Sequence, residues 1–227
     1  QPRSRGLGDV YKRQELWYRL MILDELENHI QTQETTTEQR AESRQNDVDD
    51  GLIVKISKPE EAGGIIDLAF IRGTQKRFWV PCPRENCGGH MILDRTGAVA
   101  NHCRTTDGSW DLSRVIKETY RVCPHCHGRI DEWEKPAMVD AGIWIPTPEK
   151  DRRRGPDGKP VPAVPGVESY QISDWYSLHR RLTTGHMMAK YLMAFEIQPT
   201  ESAKKYFTCN HDGWPWDITE YLSLIHI

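Results

Sequence analysis

The chain has 227 residues, 30 lysines and arginines against 33 aspartates and glutamates, a formal net charge of −3, 37% hydrophobic residues and six cysteines. That length allows one or two compact domains, and no apolar run approaches the ~20 residues that a membrane-spanning helix needs. The slightly acidic balance is not that of a small passive nucleic-acid binder. Nothing resembles a signal peptide, so the expectation is a reducing compartment, where spaced cysteines bind metal more often than they form disulfides.

The two ends share a coding relation. One coding of "DVYKRQ" (9–14) has a reverse complement that translates as "LSLIHI" (222–227), and the string is the mosaic end of transposase-based sequencing libraries. Residues 1–14 and 222–227 are therefore read as translated adaptor, and the expectation is an incomplete chain, a window from Glu15 to Tyr221.

The first element is the apolar run "YRLMIL" (18–23), short and strand-like, which stops at Asp24 and Glu25. Polar sequence follows, with room for a surface helix through Glu38 to Arg44, and then a second strand, "LIVKIS" (52–57), which halts at Pro59. Next, Ile65, Ile66, Leu68, Ala69 and Ile71 fit the buried side of a helix. This order of strand, loop, strand and helix predicts part of an α/β sheet. An apolar strand ending in two acids suits a phosphate-hydrolysing motor, in which one carboxylate holds the Mg2+ shell and the next orients or deprotonates water. Asp24 takes the first role and Glu25 the second, with Ser57 and Pro59 as a coupling turn. No G-x-x-x-x-G-K-[ST] loop occurs in the chain.

Between "RFWVPCP" and "IWIP" the sequence predicts short strands and two cysteine-bearing turns. Cys82 and Cys87 form C-x4-C, and Cys123 and Cys126 form C-x2-C. Two such turns supply four thiolates to a tetrahedral Zn2+ with no position left for water, which makes the expected site structural. It would stabilise strands too short to fold on apolar burial alone. The alternatives are unliganded thiols or a site recruiting one histidine, with His90, His102, Cys103, His125 and His127 as possible substitutes. Cys209 reads as an ordinary semi-buried cysteine.

The proline- and glycine-rich stretch 146–166 reads as an exposed loop, and its basic run "KDRRRGPDGK" (150–159) as solvated or able to touch phosphate. Beyond it, Leu178, Leu182, Met188, Leu192 and Phe195 recur at helical spacing and predict core contacts.

Taken together, "MILDELENH", "IVKISKP", "GTQKRFWVPCP", "YRVCPHCHGRIDEWEKPAMVDAGIW", "ISDWYSL" and "HDGWPW" resemble, in order and spacing, signatures of the large terminase subunit of lambda-like tailed bacteriophages. The resemblance spans most of Leu16 to Trp216. It implies the C-terminal part of a P-loop-type ATPase sheet (15–73), a zinc-ribbon-like module (74–146), a loop or linker (147–167) and a helical segment leading to a nuclease domain (168–221). It also implies ATP and Mg2+ as cofactors of the full-length protein, double-stranded DNA, a small terminase subunit and a portal protein as partners, and a location in the host cytoplasm at the prohead. Three positions depart from the family pattern. Lys58 replaces a threonine, the first cysteine turn is two residues longer than C-x2-C, and Trp214 stands where the family has glutamate. The competing readings are a non-catalytic zinc-ribbon nucleic-acid-binding or adaptor protein, and a helicase or transposition ATPase that shares the acid pair.

Overall fold

A computed structural model describes residues 18–28, 36–45, 48–155 and 157–217. The proposed adaptor segments and residues 218–221 lie outside the described residues. The chain divides into two compact units, Gln1–Ser57 and Lys58–Ile227.

The first unit is built on strands β1 (Leu20–Asp24) and β2 (Leu52–Ile56), which pair in parallel with Asp24 opposite Ile56. Helix α1 (Thr37–Ser43) lies between them in sequence, one residue from the expected surface helix at either end. Its start is set by a reciprocal capping box between Thr36 and Gln39. Lys55 of β2 reaches Glu38 of α1 at 2.7 Å. Leu23 and Leu26 are buried, whereas Leu20, Ile22, Leu52 and Ile56 are exposed.

The second unit opens with α2 (Ile65–Arg72). Here the expected apolar face is only partly realised: Ile71 is buried, but the other fully covered residue is Asp67, and the remaining apolar residues are half-buried. The reason is a buried ion pair, because Arg153 reaches back to the Asp67 carboxylate. Strand β3 (Lys76–Pro81) then organises a sheet, pairing antiparallel with β4 (His90–Met91) and β8 (Ile143–Ile145) and parallel with β9 (Tyr170–Gln171). A second sheet, of β5 (Ala98–Val99), β6 (Tyr120–Val122) and β7 (Arg129–Ile130), is antiparallel. Helix α3 (Leu112–Glu118) precedes β6, and α4 (Lys135–Asp140) follows β7.

The stretch expected to run exposed after β8 is fastened at several points. Arg152 donates to the carbonyl oxygens of Ile71 (3.2 Å) and Gly73 (2.6 Å), and Val164 N donates to Arg72 O (2.8 Å). Gln75, fully buried in left-handed backbone (φ 51°), accepts from Arg153 N and donates to the carbonyls of Ile71 and Arg153. Two of the basic residues read as solvated therefore serve the interior, because the orphan carbonyls at the end of α2 need donors.

The C-terminal segment carries β9 before its helices α5 (Thr184–Leu192) and α6 (Glu201–Phe207), each continued by a π turn, Met193–Ile197 and Thr208–Asp212. Because Thr183 caps α5 so late, Leu178 falls outside the helix and is exposed, and Met187 rather than Met188 is fully buried. Trp175, Phe207, Leu93, Val80 and Cys123 share one core, so the two sheets and helices α4, α5 and α6 bury a common interior, while Val115 of α3 packs with Ala189 and Leu192 of α5 in a second cluster. Gly185 lets α5 meet α3, since a Cβ there would lie 2.2 Å from Ile116 O. Among the described residues no helix is long and apolar enough to cross a membrane.

Candidate functional site

The loop after β1 begins at the acid pair. Asp24 closes the strand and its Oδ1 accepts from Glu25 N (3.0 Å). Glu25 sits in left-handed backbone (φ 53°), a conformation that costs energy for a non-glycine residue and concentrates at functional sites. Its carboxylate accepts from Asn28 Nδ2 at 3.1 Å. At the end of β2, the Ser57 hydroxyl accepts from Glu27 N at 3.1 Å. Asp24, Glu25 and Ser57 thus gather at the carboxyl ends of two parallel strands, the edge where open α/β sheets bind ligands. Pro59 lies beyond the division between the units, and Lys58 donates to Asn210 Oδ1 (3.2 Å).

The four cysteines come together across 44 residues of sequence. Cys82 and Cys87 lie in the turn between β3 and β4, Cys123 and Cys126 in the turn between β6 and β7, and their sulfurs all fall within 4.8 Å of one another. Two contacts join one turn to the other: Cys82 to Cys126 at 3.8 Å and Cys87 to Cys123 at 3.7 Å. A tetrahedral ion ~2.3 Å from each sulfur sets the sulfurs ~3.8 Å apart, so the spacing fits Zn2+.

Both turns are built alike. Cys82 N donates to Gly89 O (2.8 Å) and Cys123 N to Gly128 O (3.0 Å). Gly88 and His127, each directly after the second cysteine, take left-handed φ values of 61° and 56°. Backbone N–H groups point at the sulfurs, from His125 to Cys123 and from Gly128 to Cys126, both at 3.4 Å. Donors of this kind stabilise thiolates. Gly89 also permits close contact, because a Cβ there would lie 2.4 Å from the His125 ring. Burial pushes the Cys82 thiol up to about 12. For Cys123 burial acts upward too, but the amides of Cys126 and His125 with the neighbouring thiols bring it down to about 7.

None of the four candidate histidines joins this cluster. His125 instead bonds His90 O (2.9 Å). A second grouping, His102, Cys103 and Glu118, brings ligand atoms equally near one another. Arg114 grips that carboxylate at 2.9 and 3.0 Å and holds it below the usual carboxylate range, so it is an ion-paired group. Cys209 is buried, with its sulfur 3.2 Å from Glu60 O.

The family described as phage terminase large subunit gpA, ATPase domain, matches residues 10–144. The chain belongs to this terminase family. The matched stretch contains the acid pair, Ser57, Pro59 and all four cysteines. No curated protein and no solved structure matches the chain.

Several terminase residues with a clear structural or chemical role carry no periodic signal and escape sequence reading. Gln75 and the Asp67–Arg153 pair fasten the segment after β8, and Arg77, Arg95 and Asp212 line a cleft in the second unit. The polar residues inside otherwise familiar motifs, such as the glutamine of "GTQKRFW" and the aspartate of "HDGWPW", were the available hint.

Proposed function

We propose that this chain carries the middle of a large terminase subunit, the ATP-driven motor and endonuclease that cuts phage DNA and packages it into proheads. Asp24 holds the Mg2+ shell of ATP, Glu25 activates the attacking water, and Ser57 with Pro59 forms the turn that couples hydrolysis to movement. Cys82, Cys87, Cys123 and Cys126 hold a structural Zn2+ that supplies folding energy to the short strands around it. The partners of the complete protein are double-stranded DNA, a small terminase subunit and a portal protein, in the host cytoplasm. The family match favours this reading over a non-catalytic zinc-ribbon protein.

The observation that carries the motor assignment is the hydrogen bond from Glu27 N to the Ser57 hydroxyl. It ties the loop after the acid pair to the turn proposed to move, which is the connection a coupling element requires. With lysine at position 58, Ser57 supplies the hydroxyl of this turn.

The experiment is ATP turnover in a full-length family member carrying the counterparts of Asp24→Asn or Glu25→Gln. Each substitution should abolish turnover while nucleotide binding persists for the glutamate change. Turnover at the parental rate in both would refute the assignment. The 227-residue chain, which has no phosphate-loop motif, should hydrolyse no ATP.

A further inference from the structure

Glu25 is exposed, as a base that must meet a water molecule has to be. An exposed glutamate side chain is long and loses rotamer freedom only where something holds it. The residues directly after it supply that hold. Leu26 is fully buried, and Glu27 N donates to the Ser57 hydroxyl at 3.1 Å. Asn28 N donates to Glu25 O at 2.9 Å and closes the 3-10 turn Leu26–Asn28. The turn is therefore anchored in the first unit at two successive residues. From this anchored turn the Asn28 side chain reaches back, and its Nδ2 donates to Glu25 Oε2 at 3.1 Å.

The chemistry of that contact suits a base. An ionised carboxylate only accepts hydrogen bonds, and an amide N–H takes one acceptor position while leaving the others for a water proton. The amide carries no charge and has no basic nitrogen, so it cannot take the proton itself. A lysine in its place would hold the carboxylate too, but its charge would make Glu25 a weaker base. Orientation matters at this step because a general base works only within hydrogen-bond reach of the proton it removes. Small misplacements of such a group are costly to the rate.

We propose that Asn28 is a positioning residue for ATP hydrolysis, holding the Glu25 carboxylate in the orientation that takes the proton of the attacking water. It acts through Glu25, and the inference rests on the reading of Glu25 as the base.

The test is steady-state ATP turnover in a full-length family member with asparagine three residues after its glutamate, carrying the counterparts of Asn28→Ala, Asn28→Asp and Asn28→Gln. Asn28→Ala should lower kcat about tenfold, as befits loss of a hydrogen bond to a charged group, with KM for ATP unchanged. Asn28→Asp keeps the size, loses the donor and sets a like charge against Glu25, so it should lower kcat at least as far. Asn28→Gln keeps a donor and should restore kcat to within about threefold of the parent. Asn28 is exposed, so thermal melts should be unchanged, and where one variant does melt early the other two decide. Parental kcat in both Asn28→Ala and Asn28→Asp, a loss in Asn28→Gln equal to that in Asn28→Ala, or an effect confined to KM would overturn the assignment. Glu25→Gln, measured alongside, separates the two readings. If it abolishes turnover while the Asn28 variants turn over normally, only the role of Asn28 fails. If it turns over at the parental rate, the base assignment fails and the role of Asn28 falls with it.

Discussion

Asp212 offers the sharpest test of the cleft's electrostatics. Burial raises its pKa from 3.8 to about 6, so the folded protein favours the protonated acid. The stability tied to that proton is fully present below the unfolded pKa and lost as pH rises through about 6. Above that pH the ionised carboxylate carries a penalty of at most ~3 kcal/mol, reduced by whatever solvent reaches the cleft. Asp212→Asn removes the charge and keeps an oxygen to accept from Trp175 Nε1, so it isolates this effect. Urea unfolding of the two proteins should show the variant more stable by ~1–3 kcal/mol at pH 8, with the gain falling to about half by pH 5. Arg95 lowers the pKa and Asp94 raises it, and both contributions are contained in the shift that the comparison reads. A variant equal to or weaker than the parent at pH 8, or a gain that does not shrink at low pH, would refute the reasoning.

Metal analysis of chain purified without chelator should find one zinc per molecule, and Cys123→Ser should lose it. Structural zinc contributes roughly 10–16 kcal/mol in small modules, comparable to the whole stability of a domain, so chelation should abolish cooperative unfolding of the second unit in calorimetry. Gly185→Ala sets a methyl group 2.2 Å from Ile116 O, where backbone must move, and should cost ~1–3 kcal/mol in chemical denaturation. Asp67→Asn leaves Arg153, which is 30% exposed, without its anion. A loss of ~2 kcal/mol, with faster proteolysis in the segment after β8, is expected.

The elements read most directly from sequence were those whose signal is local. The strands around the acid pair stand within two residues of their expected bounds, and α1 begins at a threonine cap, because a capping box and a short apolar run act over a few residues. The four cysteines were legible for a different reason, since two tight turns bearing thiols admit few arrangements. Their cross-turn pairing, Cys82 with Cys126 and Cys87 with Cys123, was not legible, because it depends on how two sheets stack. Helix α2 shows the limit of periodicity: its apolar pattern was real, yet the residue buried beside Ile71 is Asp67, held by an arginine 86 residues away.

By itself the sequence determined the local chemistry: which residues can cap, turn, chelate and carry charge, and the order in which they follow one another. Only the tertiary structure decided which of the arginines end in solvent and which are covered, Arg121 wholly and Arg77 and Arg153 in part. Whether a charge is screened, paired or stranded depends on the atoms that pack around it, and those come from segments far apart along the chain.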